Sequence, residues 1–378
     1  MCTSHNPVQC IVPPHMVERI LENGSARQKE KAWSFLRIAG QIRGQRQVLA
    51  DLTRRLQALE GTRNRLVYSA SNESNLPGIL RRKEGEGPSG DAAVDEAYDG
   101  SGATYDLYAE VFGRNSVDNR GMDLISTVHY LTGYDNAFWN GEQMVYGDGD
   151  EDLPLEERLF NRFTTAVDII GHELTHGVTQ HEANLVYRDQ AGALNESFSD
   201  VFGSLVKQRV LGQRAEEADW LIGQGLFTGA IQGDGIRSMK EPGTAYDDPI
   251  LGKDPQPGHM DQYVETNQDN GGVHINSGIP NKAFYHLAID LGGYAWDKAG
   301  LIWYKTLCDS LAPNATFQDA ANATHAMAGT LYGKGSPEQQ AVFRSWERVG
   351  ILPSRTARPG CFSSLARSFR RLFKKTSA

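Results

Sequence analysis

The sequence predicts an α+β protein in which two lobes face each other across a cleft. Residues 134–149 are rich in aromatic residues, Gly and Asn, a composition typical of strands and loops. From Pro154 onward, apolar residues recur instead at the spacing of amphipathic helices. A β-rich half is therefore followed by an α-rich half, with one helix between them. This order predicts two lobes of different class, with a cleft where ligands bind.

The chain divides into four predicted parts. Residues 1–55 contain a Pro-Pro pair and a mostly helical pattern, and this module is too short to be very stable alone. Residues 60–181 form the β-rich lobe with its helix, and residues 182–353 form the helical lobe. Residues 354–378 form a basic, amphipathic tail. Helices are predicted over Leu155–Glu182, Ala191–Val210, Ser277–Leu291, Asp297–Ser310 and Phe317–Tyr332.

Composition excludes several classes of protein. The 378 residues are 39% hydrophobic, so the chain can bury a substantial core. No stretch approaches the ~18 consecutive apolar residues that a membrane-spanning helix needs. The first thirty residues lack the basic start and apolar block of a signal peptide, and the 4 cysteines are too few for a disulfide scaffold. We therefore expect a cytoplasmic protein, with export by a non-standard route as the alternative.

Charge is distributed unevenly along the chain. Residues 67–353 carry 42 acidic and 20 basic side chains, whereas both ends of the chain are basic. Because an acidic body repels phosphates, we expect no nucleic-acid partner. The basic tail could make a weak contact with an anionic membrane or an acidic partner, and a solvated tail is the alternative.

A His-Glu-x-x-His motif spans residues 172–176. His172 and His176 are four residues apart, so on a helix both imidazoles can reach one metal ion. Glu196 and Asp200 follow on a second predicted helix, again four residues apart. Catalytic zinc takes nitrogen and oxygen ligands and keeps one open position. The pattern therefore predicts one zinc ion held by both histidines and Glu196, with Asp200 bonded to a ligand histidine. Two solvated acids on a helix face are the alternative.

With Asn-Glu-x-x-x-Asp at residues 195–200, this motif resembles the thermolysin-like zinc endopeptidases. The resemblance runs from Arg65 to Gly350, about three quarters of the chain. It implies a zincin fold, in which a β-rich N-terminal lobe and an all-α C-terminal lobe flank the active-site helix. The other matching segments are Asp135–Gly141, Tyr146–Gly149, Ile236–Met239 and Asp269–Asn276.

The resemblance also implies roles for individual residues. Glu173 matches the general base, and Tyr187 and His274 match the donors that stabilise the developing oxyanion. Asp269 matches the residue that orients His274, as Asp200 orients His172. The residues matched to substrate binding are Asn136, the Ala137 backbone and Arg237, together with an apolar pocket formed by Phe160, Phe163, Ile169 and Ile236. An apolar pocket implies cleavage on the amino side of bulky hydrophobic residues.

One departure from the family concerns calcium. Asp168 and Asp219 match two ligands of a paired calcium site, but Lys207, Leu221 and Gln224 stand where carboxylates are expected. Two divalent ions need several anionic oxygens, and a lysine opposes them. We expect zinc with little or no calcium at this position, with Lys207 pairing with one of the two aspartates. A calcium site elsewhere stays open.

The N-terminal module departs from thermolysin as well. Residues 10–16, Cys-Ile-Val-Pro-Pro-His-Met, resemble the short pro-region of protealysin-type enzymes. The resemblance implies a latent precursor, in which residues 1 to about 50 inhibit the enzyme and are removed by self-cleavage. A solvated helical appendage is the alternative, and the Cys10 thiolate stays open as a zinc ligand in the latent form.

The predicted function is zinc-dependent hydrolysis of peptide bonds within peptide or protein substrates. A zinc aminopeptidase is the nearest rival, and it would need an acidic cluster that captures the free amine. A non-catalytic binding or inhibitory protein is the rival from another class. The intact residues of the predicted site argue against that second rival.

Overall fold

The structure is a computed structural model that describes residues 9–36 and 62–353. Within these ranges the fold is α+β, as predicted. Residues 1–8, residues 37–61 and the basic tail lie outside the described residues, so the predictions for them stay predictions. The lobe boundaries at residues 60, 182 and 353 stay predictions too.

A six-stranded sheet forms the β-rich part of the fold. The strand order is β1-β5-β6-β4-β2-β3, with β4 parallel to both β2 and β6 and the other pairs antiparallel. Strand β1 comes from the N-terminal module and pairs along the edge of the sheet with β5. The strands are β1 Gln9–Cys10, β2 Arg65–Ser69, β3 Ile79–Lys83, β4 Leu124–Val128, β5 Ala137–Trp139 and β6 Met144–Tyr146.

The helices carry most of the remaining chain. Two short hairpins lie among them, formed by β7 Leu221–Ile222 with β8 Arg237–Ser238 and by β9 Asp247–Asp248 with β10 Gly252–Lys253. Among the described residues, none of the helices combines the length and the apolar character that a bilayer crossing requires. The helices are α1 Pro14–Asn23, α2 over residues 26–36, α3 Ala92–Phe112, α4 Val167–His181, α5 Asp189–Leu211, α6 Asp269–Asn276, α7 Gly278–Leu291, α8 Lys298–Asp309, α9 Phe317–Tyr332 and α10 Pro337–Arg348.

The helix predicted from residue 155 was wrong in its extent, and helices α3, α6 and α10 were not predicted. The helix predicted from residue 155 begins only at Val167, because the backbone amides of residues 159 and 160 donate to Asp150 Oδ2 instead of continuing a helix. Helix α3 was not predicted, since Gly100 and Gly102 lie inside it and glycine has low helix propensity. Those residues are needed for packing, because a Cβ added at Gly100 would lie 2.4 Å from Ile170 Cδ1 of α4.

Helices α4 and α5 pack closely at the centre of the molecule. A Cβ added at Gly171 would lie 3.0 Å from Gly203 Cα, and one added at Gly203 would lie 2.4 Å from the carbonyl oxygen of Asp168. Glycine at these two positions lets the two helix backbones come so close that side chains of one helix can contact side chains of the other. The polar residues of both helices that face this contact are therefore buried together.

Candidate metal centre and active-site cleft

Three predicted ligands meet where α4 crosses α5. His172 Nε2 and His176 Nε2 are 3.0 Å apart. Glu196 Oε2 lies 3.5 Å from His172 Nε2, and Glu196 Oε1 lies 3.5 Å from His176 Nε2. One ligand atom from each of the three residues lies within 4.8 Å of the others, and all three side chains are buried. The structure therefore brings together the three ligands that the sequence predicts.

The donor atoms of this cluster fit a zinc ion. His172 Nδ1 lies 2.8 Å from Asp200 Oδ1 and His176 Nδ1 lies 2.9 Å from Asn195 Oδ1, so each ring donates from Nδ1 and presents the Nε2 lone pair to the centre. Glu196 Oε2 is buried without a hydrogen-bond partner. A buried carboxylate oxygen is costly to leave unpaired, and a metal ion would satisfy it. Two imidazoles and one carboxylate match catalytic zinc, which keeps a further position open.

Asp200 is the centre of a buried ionic network. Its carboxylate accepts hydrogen bonds from Arg237 Nε at 2.8 Å and Arg237 Nη2 at 2.7 Å, and a third from Asn281 Nδ2 at 2.8 Å. Burial alone would raise the pKa of Asp200, but the charge of Arg237 and the bond to His172 hold this pKa well below its ordinary value. Asp200 is therefore an anion, as the predicted partner of His172 should be.

Glu173 faces the cleft from α4, one residue beyond His172. Its side chain is fully buried, and its Oε2 accepts a 3.0 Å hydrogen bond from the backbone amide of Trp139 in β5. This amide was not predicted, because a backbone donor leaves no signal in side-chain identity. The contact fixes the orientation of the candidate general base relative to β5.

His274 and Tyr187 lie together beside Glu196. Tyr187 Oη is 3.1 Å from His274 Nε2 and donates a short hydrogen bond to Glu196 Oε1. His274 Nδ1 lies 2.6 Å from Asp269 Oδ1. Burial would lower the pKa of His274, but the negative charges of Asp269 and Glu196 raise it to about 9. In this arrangement His274 is a positively charged donor at neutral pH.

A left-handed turn places Asp269 beside His274. Residues 269–272 all have positive φ, with values of 50°, 52°, 89° and 74°. The turn brings the Asp269 carboxylate next to the backbone amide of His274, which donates to Asp269 Oδ2 at 2.9 Å. Such backbone is unfavourable outside glycine, and a Cβ added at Gly271 would lie 2.1 Å from Asp189 Oδ1.

Residues 9–12 of the chain lie in this cleft as an added strand. Gln9 pairs with Trp139 and Cys10 pairs with Phe138 of β5 in antiparallel register. The backbone amide of Ile11 donates to the carbonyl oxygen of Ala137 at 3.3 Å.

The predicted substrate-binding residues hold the backbone of this segment. Val12 N donates to Asn136 Oδ1 at 3.0 Å, and Arg237 Nη1 donates to the Ile11 carbonyl oxygen at 3.2 Å. Asn136, which precedes β5, Ala137 of β5 and Arg237 of β8 thus bind the chain's own N-terminal segment.

The four predicted pocket residues are buried. A Cβ added at Gly223 would lie 3.1 Å from Ile236 Cδ1 and 3.6 Å from Ile169 Cδ1, so these two side chains flank one point. The ring centroids of Phe160 and Phe163 are 6.0 Å apart. The residues therefore form two apolar pairs.

Lys207 lies among the groups that were matched to a calcium site. Its Nζ is 3.1 Å from Asp168 Oδ2, 2.9 Å from Asp219 Oδ1 and 2.7 Å from the Leu221 carbonyl oxygen. Burial would lower the pKa of Lys207, but the two aspartates raise it above its ordinary value. The ammonium group pairs with both aspartates, where the sequence left open which one it contacts.

The chain matches two family profiles in succession. The profile of the thermolysin metallopeptidase catalytic domain matches residues 44–180, and that of the thermolysin metallopeptidase alpha-helical domain matches residues 183–351. Among solved structures, the precursor of protealysin, a metalloproteinase from Serratia proteamaculans, superposes with a TM-score of 0.82 at 50% identity. That match covers 91% of this chain and 100% of the other.

Curated relatives agree with these matches. The chain is 50% identical over 346 residues to an extracellular metalloprotease of Pectobacterium carotovorum, covering 91% of this chain and 97% of the relative. It is 40% identical over 295 residues to thermolysin of Alicyclobacillus acidocaldarius, covering 75% of this chain and 50% of the relative.

The expectation of a cytoplasmic location was wrong. The relative from Pectobacterium carotovorum and another from Serratia marcescens, 38% identical over 351 residues, are both named as extracellular metalloproteases. These names point to secretion. The expectation rested on the lack of a recognisable leader, which does not decide where a protein acts.

The metal centre can be tested by replacing Glu196 with Gln. The change keeps the size of the side chain but removes the negative charge. We expect zinc affinity to fall by more than the roughly 10- to 100-fold that losing an outer hydrogen-bond partner of a ligand costs. Competition with a chromophoric chelator measures this affinity. Glu265→Gln, at an exposed position, is the control, and equal affinity of both variants would contradict the assignment.

Proposed function

Since the chain belongs to the thermolysin family of zinc metallopeptidases, we propose that it cleaves on the amino side of bulky hydrophobic residues and is made as a latent, self-processing precursor. Zinc metalloendopeptidase activity is the established part of this statement, because it follows from the family. Family membership also favours an endopeptidase over the aminopeptidase and the non-catalytic protein considered above. The observation that carries the latent precursor is the N-terminal strand bound in the cleft.

Each residue of the cleft has a distinct role in the proposed hydrolysis. Zinc, when bound, supplies a Lewis acid that polarises the substrate carbonyl and lowers the pKa of a water molecule. Glu173 accepts the proton of the attacking water and passes it to the leaving amine, while the Trp139 amide keeps its other oxygen in place. Tyr187 and His274 donate to the oxygen that becomes negative, and a charged His274 is the stronger donor.

Substrate specificity is proposed to come from the apolar pocket. Phe163, Ile169 and Ile236 are buried and offer no polar group to a substrate side chain, and Phe160 packs beside Phe163. A charged side chain would lose its hydration there without gaining a partner, which costs several kcal/mol. A bulky apolar side chain would gain roughly 1.5–3 kcal/mol by burial.

A peptide series varied after the scissile bond tests this specificity. Peptides with Leu, Ile or Phe there should have kcat/KM at least about 100-fold above peptides with Asp or Gly. The reason is that the pocket binds apolar side chains favourably and charged ones unfavourably. Mass spectrometry of the products identifies the bond. A preference for acidic residues would show that the pocket is assigned to the wrong side chains.

The latent state is proposed to depend on a buried lysine as well as on the strand. Lys31 of α2 places Nζ 3.4 Å from Asp135 Oδ1 and 3.0 Å from Asp152 Oδ1, and it makes a short contact with Asp150. Burial would lower the pKa of Lys31, but Asp135 and Asp150 raise it above its ordinary value. Because three carboxylates of the enzyme share this ammonium group, it anchors the N-terminal module beside the cleft.

Self-processing and the Lys31 anchor can be tested together. The Glu173→Gln chain should keep its N-terminal module, because the general base is missing. Lys31→Met should process about tenfold faster than the unchanged chain or more, since losing a charged hydrogen bond costs about 1.5–3 kcal/mol. Gel electrophoresis after zinc addition gives the rates. The matched control is Lys29→Met. The ammonium group of Lys29 donates to the Glu22 carbonyl oxygen within the same module.

Two outcomes would contradict this part of the proposal. Loss of the module from purified Glu173→Gln protein at the unchanged rate would exclude self-processing. Equal rates for Lys31→Met and Lys29→Met would exclude the anchor.

Lys207 is proposed to replace calcium beside the metal centre. Its ammonium group already neutralises Asp168 and Asp219, and a divalent ion at this point would be repelled by it. The enzyme should therefore need no calcium at this position for its stability. Zinc at the metal centre is the metal ion that it needs.

Replacing Lys207 by Glu tests this substitution of one cation for another. The variant gains a third carboxylate beside Asp168 and Asp219, and we expect it to lose roughly 3–5 kcal/mol of stability without calcium. Millimolar calcium should restore most of that loss, whereas the unchanged protein should show no gain. Thermal unfolding with and without calcium measures the effect, with exposed Lys240→Glu as the control. Calcium stabilisation of the unchanged protein at this site would refute the proposal.

A further inference from the structure

The N-terminal segment lies in the cleft with one peptide bond at the reaction centre. The carbonyl oxygen of Cys10 is 3.0 Å from His274 Nε2, and the amide nitrogen of Ile11 is 3.3 Å from the Ala137 carbonyl oxygen. Both sides of the Cys10–Ile11 amide are therefore held. The next carbonyl, that of Ile11, accepts from Arg237.

This amide also lies beside the residues that act on a substrate. His274 Nε2 is 3.6 Å from Glu196 Oε1, so the Cys10 carbonyl is adjacent to a metal ligand. Glu173 is oriented by the amide of Trp139, which is the residue opposite Gln9 in the strand register. The oxyanion donor and the metal ligand therefore lie beside the Cys10 carbonyl, and the base is held by the strand that pairs with this stretch of backbone.

The Pro-Pro pair that follows limits the register of the segment. Ile11 N and Val12 N donate to Ala137 and Asn136 respectively. A shift of one residue would place Pro13 where Val12 donates, and a shift of two would place it where Ile11 donates. Proline has no amide hydrogen, so either shift loses a hydrogen bond in a buried site. A shift in the other direction would replace the fully buried Ile11 by Cys10.

From these contacts we infer that the Cys10–Ile11 bond occupies the position of a scissile bond and is the bond that this enzyme hydrolyses within its own N-terminal segment. The C–N bond between Cys10 and Ile11 breaks, the hydroxyl of water bonds to the Cys10 carbonyl carbon, and the proton goes to the Ile11 nitrogen. The inference rests on the proposed self-processing and on the proposed apolar pocket, which Ile11 would fill.

A peptide with the sequence of residues 5–20 gives the direct test. Added to the zinc-loaded full chain in large excess, so that it displaces the chain's own segment from the cleft, it should be cut between Cys10 and Ile11, and mass spectrometry should show fragments 5–10 and 11–20. The peptide offers competing apolar residues at Val8, Val12, Met16, Val17 and Ile20. Ile11→Leu in the peptide should change the rate by less than about tenfold, whereas Ile11→Asp should slow this cut at least about 100-fold. First cleavage before any of these competing residues would overturn the register.

The full chain gives a second test that does not depend on hydrolysis. In the Glu173→Gln chain, hydrogen exchange should show the amides of Ile11 and Val12 protected, and Ile11→Asp should reduce their protection at least about tenfold while Ile11→Leu keeps it. Unprotected amides in the Glu173→Gln chain would overturn the inference.

The outcomes separate this inference from the wider proposal. If the zinc-loaded chain removes its module by cuts elsewhere and Cys10–Ile11 stays intact in both chain and peptide, self-processing stands and the register fails. If the peptide is cut at Cys10–Ile11 but the chain never processes itself, the register stands and self-processing fails.

Discussion

The close contact between α4 and α5 is the constraint on which the site depends. Gly171 and Gly203 let the two helix backbones approach, and this brings histidines from one helix within reach of carboxylates from the other. Charges buried at such a contact need partners, because an unpaired buried ion costs several kcal/mol. The Asp200–Arg237 ion pair meets this need, and the same Asp200 fixes the ring of His172. The packing of α4 against α5 and the geometry of the metal centre therefore depend on the same residues.

The sequence predicts the part of the site that depends on spacing along a helix. His172 and His176 share a face because they are four residues apart, and Glu196 was found because it lies on the next amphipathic stretch. Contacts made by backbone atoms or by distant loops leave no such pattern. The amide of Trp139 that orients Glu173 and the ammonium of Lys31 among three aspartates were therefore not predicted.

The fold shows the same division between local and tertiary causes. Helix α9 has the predicted bounds, because its capping box and apolar period are both local signals. Helix α3 escaped prediction, since Gly100 and its small neighbours are present for close packing against α4 rather than for helix propensity. The left-handed turn at residues 269–272 also reflects tertiary structure. Its unfavourable backbone is explained by the folded site, where the turn places Asp269 beside His274.

The substrate-like contacts of the N-terminal strand bear on how the proposed latency would persist. If Asn136 and Arg237 bind a substrate backbone as proposed, they do so through the same atoms that hold Val12 and Ile11, so the segment would compete with substrate. A segment bound in this manner inhibits only as long as it stays in place, whether or not one of its bonds is cut. The contacts of Lys31 attach α2 to the enzyme independently of the strand. Because a tethered segment has a high effective concentration at the cleft, hydrolysis of a single bond need not release it. In the proposed precursor, activation would then require loss of the anchor as well as cleavage, and latency would depend on strand β1 and on α2 together.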